Sequence, residues 1–197
     1  MNCRTRILHA APGSPILRVY CDDKLIQSKV SYKDLTNYCL VDSGHKHFKV
    51  FPERKQHVPL IEAYSHLLDS ACHTIVLTGR PSELSLFVVP DARIPKTDRA
   101  YLRFVNLVPD TNLDFTFSQG AFIQVNDIRF KEVTDYYPAT PGTYTIRVYL
   151  AGTNHLLLTI PSFTLRRGRA YTIYIHGLRD DYHAPIDYLF CADGDEY

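Results

Sequence analysis

Tryptophan is absent, methionine occurs only at Met1, and just 9 glycines are scattered over 197 residues. Glycine this sparse leaves no phosphate cradle, and no P-loop, dinucleotide fingerprint or nucleophile elbow is present. Charge of one sign is also missing. Lys plus Arg (22) nearly balances Asp plus Glu (21), which argues against a broad phosphate-binding surface, because that affinity comes from basic residues neutralising phosphates. Nucleic acid is therefore not an expected partner. Long apolar runs are lacking too. Stretches such as Leu86–Val89 fall far short of the roughly 20 residues of a membrane helix, so no membrane span is expected. The opening MNCRTRILHAAPGSP has no apolar core of signal-peptide length. A cytoplasmic chain, or one exported by a signal-independent route, is the expectation. Cysteine is present, as Cys3, Cys21, Cys39, Cys72 and Cys191, but without a CxxC or zinc-like spacing. Free thiols in a reducing compartment fit this pattern. An intermolecular disulfide is the sharper alternative, easiest near the termini at Cys3 and Cys191.

What is abundant is strand-forming. Tyr (14) and Phe (10) accompany many Thr, Val and Ile, which suit a pleated, half-buried surface. In TYTIRVYLAGTN, Tyr144, Ile146, Val148 and Leu150 alternate with Thr143, Thr145, Arg147 and Tyr149. In AYTIYIHG, Tyr171, Ile173 and Ile175 alternate with Thr172, Tyr174 and His176. Period two predicts strands with one buried face. Turn signals at Pro109-Asp110, Gln119-Gly120, Asn126-Asp127, Pro141-Gly142, Gly152-Thr153-Asn154, Arg167-Gly168 and Gly177 separate short strands, as in a β-sandwich.

The same pattern occurs twice. VSYKDLTNYCLVDSGHKHFKV at Val30–Val50 aligns without a gap with IRFKEVTDYYPATPGTYTIRV at Ile128–Val148. Lys33/Lys131, Thr36/Thr134, Tyr38/Tyr136, Gly44/Gly142 and Val50/Val148 are identical, and the offset continues to Gly79/Gly177. Upstream, Ile7–Pro15 matches Phe104–Asn112 one position closer. A duplicated unit follows: a first sandwich over 1–92, a second over 99–197, and a linker over 93–98. One helix candidate, Ile61–Ser70, aligns with TIPSFTLRRG at Thr159–Gly168, whose proline and glycine favour strand or loop. Gly44 and Gly142 each precede a strand and suit a turn with positive φ. Tyr38 and Tyr136 are expected as buried rings with their hydroxyls on backbone groups.

HAAPGSPILRVY at His9–Tyr20 resembles the opening of a bacterial domain-of-unknown-function family, number 4397. The Thr-Asn-Tyr at 36–38, the Gly44 turn with FKVF, and TIVLTGRPSELSLFVVPD at Thr74–Asp91 fit as well. So do Thr134-Asp135-Tyr136, PGTYTIRVYLAGT at Pro141–Thr153 and GRAYTIYIHG in the second half. The resemblance implies an all-β chain of two tandem immunoglobulin-like or transthyretin-like β-sandwich domains, of a kind found on secreted or surface-attached bacterial proteins. It brings no catalytic residues.

Candidate chemistry is thin. His45 and His47 should share one face of a strand, a spacing that can bind metal, but Lys49 shares that face and the aligned residues are Thr143 and Thr145. No metal and no cofactor are expected, and these two histidines are the residual metal candidates. His9 and its counterpart Asn106 are expected to bond backbone near the first turn. His57, His66 and His73 are expected as isolated polar residues. The tail Ala192–Tyr197 resembles only half of a calcium loop. Arg166, Arg167 and Arg169 are placed at a hairpin tip, where the first copy has Asp69, Ser70 and Ala71. RPSE (Arg80–Glu83) and RDDYH (Arg179–His183) read as loops. Tyr149 and Tyr174, opposite the core faces, are candidate sugar- or partner-stacking residues beside the three arginines. The expected function is a non-enzymatic structural or protein-interaction protein of a bacterial cell or spore surface. It would bind a protein partner or itself, and the alternative is a module binding a surface glycan or peptide. Between the copies, Cys39, His45, Lys46 and His47 become Tyr137, Thr143, Tyr144 and Thr145, so these positions should carry any difference in task.

Overall fold

A computed structural model describes residues 1–54, 58–92, 97–118 and 122–194. His57, the Gln119-Gly120 turn, most of the expected linker and the last residues of the acidic tail lie outside the described residues. The chain divides into one unit of Met1–Ala92 with Gly194–Tyr197 and another of Arg93–Asp193.

The first unit is a sandwich of two four-stranded sheets. One sheet contains β1 (Asn2–His9), β4 (Cys39–Asp42), β7 (Cys72–Thr78) and β8 (Ser85–Asp91), in the order β4-β1-β7-β8. The other contains β2 (Leu17–Cys21), β3 (Lys24–Val30), β5 (Gly44–Pro52) and β6 (Ile61–Leu67), in the order β3-β2-β5-β6. The second unit repeats this plan. β9 (Ala100–Asn106), β12 (Tyr137–Ala139), β15 (Ala170–His176) and β16 (Asp187–Ala192) form the sheet β12-β9-β15-β16. β10 (Leu113–Ser118), β11 (Phe122–Ile128), β13 (Gly142–Leu150) and β14 (Leu156–Leu165) form β11-β10-β13-β14. The helix candidate is strand β6, as its aligned copy suggested.

Each copy has one parallel contact, β1 with β7 and β9 with β15, in matching register (Ile7 beside Ile75, Phe104 beside Ile173). Alternation fits β13, whose Tyr144, Ile146 and Val148 are buried. It misleads for β15, where all seven residues are buried. β7 and β15 are inner strands with a parallel neighbour, and such strands bury both faces and read as near-continuous apolar runs. Tyr174 is consequently 0% exposed and is no stacking platform.

The two cores share a scaffold and differ in filling. Val19 and Cys21 on β2 face Val50 and Phe48 across the β2–β5 ladder. The corresponding rungs of β10–β13 pair Phe115 with Val148 and Phe117 with Ile146. At one rung the phenylalanine has changed strands, from Phe48 on β5 to Phe117 on β10. At the other a Val–Val pair has become Phe115–Val148, so the second layer holds more aromatic volume and its close packing must be met by other neighbours. Phe104 stacks on Phe115 at 4.4 Å, so the second core is built around aromatic rings.

The duplicated stretch has a clear local role. Lys33 (φ 75°) and Lys131 (φ 66°) occupy left-handed positions in turns closed by the next carboxylates. The Ser31 N–H donates to Asp34 Oδ2 at 2.7 Å, and the Arg129 N–H donates to Glu132 Oε2 at 2.9 Å. Thr36 and Thr134 then accept the Ile7 and Phe104 N–H groups at 2.9 and 3.0 Å, holding the loop against the first strand. Gly44 has φ +102°, as a turn requires, whereas Gly142 at 158° is almost extended and simply opens β13.

Candidate functional site

Charge is buried in each copy by the same four residues. In the first, Arg6 on β1 donates from Nε to Thr74 Oγ1 at 2.9 Å, and Thr74 donates to Asp91 Oδ2 at 2.8 Å. Tyr38 donates its hydroxyl to the same Oδ2 at 2.7 Å, and the Arg6 guanidinium lies 4.8 Å from the Tyr38 ring centroid. In the second, Arg103 donates to Thr172 at 2.7 Å, Thr172 donates to Asp193, and Tyr136 donates to Asp193 Oδ2 at 2.7 Å. Arg103 lies 4.5 Å from the Tyr136 ring. The Asp91 and Asp193 side chains are 0% exposed, with arginine nitrogens at 3.7 and 3.8 Å.

These tetrads tie the first strand, the seventh and the end of the eighth to the loop before the fourth. Their carboxylates are satisfied and closed to solvent, so they act as framework and offer no substrate access. The tyrosine expectation needs correction, and both rings are half-buried, not buried. Tyr38 does accept the Gly194 N–H at 3.2 Å, but the partner common to both copies is a carboxylate.

His9 and Asn106 do bond backbone. His9 reaches Pro15 O and the Ala11 N–H, both at 3.3 Å. Asn106 donates to Thr111 O and Ile128 O at 2.7 and 2.9 Å and accepts from the Val108 N–H at 2.9 Å. Burial lowers the His9 pKa from its ordinary 6.5, with the Pro15 carbonyl opposing, and burial lowers that of His73 in the same sense. The folded state therefore takes up these protons less readily than the unfolded chain. Their contribution to stability is intact above pH 6.5 and is lost as pH falls below it, through the depressed folded values. His9→Asn, which installs the second copy's residue, should flatten the acid-side fall of the first unit's denaturation midpoint. A fall as steep as the parent's would contradict this.

The outer face of β5 and β6 gathers polar side chains. His45, His47 and Lys49 on β5 stand opposite His66, Tyr64 and Glu62 on β6. His47 stacks on Tyr64 with centroids 4.3 Å apart and planes at 6°, and its Nε2 lies 2.7 Å from Glu62 Oε1. His45 meets His66, not His47, with ring centroids 4.8 Å apart. His66 was missed because the β5–β6 register depends on a connection whose sequence does not specify it. Lys49 pairs with Asp23 at 2.8 Å and Lys46 with Asp22 at 2.7 Å. The hydrogen bond from Lys46 holds the Asp22 carboxyl below its usual range.

The other candidates do not converge. Arg166 and Arg167 are exposed and Arg169 half-buried, and they follow β14 where the chain crosses to β15 in the other sheet. Their turn is thus an inter-sheet connection and not a hairpin tip. Tyr149 is half-buried on β13, in a different sheet from the buried Tyr174, so these two cannot form one stacking face. None of the five cysteines is joined in a disulfide. Cys3 is 1% exposed and donates to Val41 O at 3.4 Å, which removes it as an accessible disulfide partner, and burial pushes Cys21 up to about 12. Asp114 accepts the Asp127 and Gly152 N–H groups at 2.7 and 2.9 Å and ties loops together. Among the described residues, no group of three or more His, Cys, Asp or Glu is placed to hold a metal ion, and no helix is long and apolar enough to cross a membrane.

A family model described as Domain of unknown function (DUF4397) matches the chain twice, over residues 4–112 and 100–196. No curated protein matches it. Two matches in tandem agree with the repeated strand order and the repeated tetrads. The chain belongs to the DUF4397 family, with two copies of the domain in succession.

Proposed function

We propose that the chain is a non-enzymatic structural or protein-interaction protein of a bacterial cell or spore surface that joins to further copies of itself through an open sheet edge. The use of its buried polar groups supports a non-enzymatic role: the charged residues of both tetrads bond one another and close off from solvent. The surface setting rests on the family resemblance.

The carrying observation is the edge strand β6. Natural edges are commonly blunted by lysine or proline. β3 carries Lys24 and Lys29, β8 has Pro90, β12 has Pro138 and β14 has Pro161. β6 runs for 7 residues with neither, as do β11 and the shorter edges β4 and β16, and β6 adds an aromatic ring at the surface, Tyr64, which is 79% exposed. Such an edge offers backbone groups for strand addition, with side chains reading the added strand. Ser65→Lys with Tyr64→Lys places two charges on this edge and should lower the weight-average mass seen in sedimentation velocity. A mass equal to the parent's at every concentration would contradict the assignment to β6.

A further inference from the structure

Antiparallel pairing creates a feature that neither β5 nor β6 shows alone. His45 lies directly opposite His66, the rings are 4.8 Å apart at 66°, and both residues are exposed. No hydrogen bond or ion pair occupies either ring among the described residues. The next rung differs, because His47 is stacked on Tyr64 and held beside Glu62.

The second copy shows what this rung does with other side chains. The rung after Gly142–Leu165 pairs Thr143 with Thr164, just as the rung after Gly44–Leu67 pairs His45 with His66. The two threonine hydroxyls are 3.3 Å apart. The backbone thus brings side chains together here in both copies. In the second copy they satisfy each other, whereas in the first they are two imidazoles, each able to offer a ring-nitrogen lone pair.

We propose that His45 and His66 form a two-imidazole chelate for a divalent late transition-metal ion: nickel, copper or zinc. Imidazole suits these metals. Metal–nitrogen bonds of about 2.0–2.1 Å place two ligand nitrogens on one ion roughly 3 Å apart, a separation reached by small rotations of rings already in contact. Two protein ligands leave the other coordination positions to water, so the site is open and reversible, unlike a closed structural zinc centre.

Isothermal titration of the untagged full-length chain with Ni2+, which does not oxidise the cysteine thiols, tests the proposal. One saturable site is expected at neutral pH. H45N and H66N should each weaken it at least tenfold, while H47N and the exposed second-copy control H155N leave it unchanged. Far-ultraviolet circular dichroism of each variant should match the parent, since all four positions lie at the surface or on its margin. Absence of saturable nickel binding by the parent would overturn the proposal. So would binding that survives in the H45N/H66N double variant, which would point to the thiols, or binding lost in H47N but kept in H66N, which would restore the same-strand pair.

Discussion

Asp91→Ala destabilises the first sandwich by about 3–5 kcal/mol, because it leaves the buried Arg6 guanidinium without its carboxylate. Arg6, Thr74 and Tyr38 all converge on Asp91 Oδ2, so one truncation strands two hydroxyl donors as well as a charge. Asp193→Ala should do the same to the second sandwich, where Arg103, Thr172 and Tyr136 converge. Asp91→Asn keeps an oxygen acceptor and loses only the charge, so its cost should be smaller. Arg6→Met combined with Asp91→Asn should recover part of the loss, since no uncompensated charge remains buried. Urea unfolding followed by tyrosine emission, the chain having no tryptophan, with amide cross-peaks assigned to each unit, reads these effects separately. An Asp91→Ala variant within roughly 0.5 kcal/mol of the parent, as for an ordinary surface change, would show that the tetrad is incidental.

The second large effect is steric. A Cβ added at Gly177 would lie 2.3 Å from the Pro185 carbonyl oxygen, and one at Gly79 the same 2.3 Å from that of Glu83. Both contacts are with backbone, so no side chain can turn aside, and both glycines have φ near the same positive value, +107° and +108°. Gly177→Ala and Gly79→Ala should each cost roughly 2–5 kcal/mol from backbone strain and overpacking together. Gly44→Ala separates the two contributions, since φ is +102° there but nothing lies within 4 Å of the added atom. It should cost about 1–3 kcal/mol, the conformational part alone. Equal losses at Gly44 and Gly177, measured by the same urea titration, would mean that the close approach contributes nothing.

The duplication was legible because its signals are local. Lys33, Thr36 and Gly44 shape turns and loop contacts from their own positions, and their counterparts recur at a constant spacing. Period two located β13 for the same reason. It failed at β15, because whether the second face of a strand meets solvent depends on the sheet around it. The tetrads were hidden by distance and by loop length. Thr74/Thr172 falls within the ungapped alignment, but six residues (79–84) separate β7 from β8 while ten (177–186) separate β15 from β16. Asp91 and Asp193 therefore drop out of step, and nothing in either neighbourhood marks them as partners of Arg6 or Arg103. Cross-strand register has the same character. His45 and His47 were visible as a pair on one strand, whereas His66 becomes a neighbour only once β6 has settled against β5.

The role proposed for the chain depends on its meeting other copies of itself, and the most direct measurement is its assembly state. Size-exclusion chromatography with light scattering over a rising concentration series, followed by electron microscopy of the heaviest fractions, should show growth beyond the 22.6 kDa monomer. Ordered oligomers or filaments should appear, and the β6 edge variants should suppress them. A particle that stays at monomer mass at the highest attainable concentration, with no assemblies on the grid, would contradict the account.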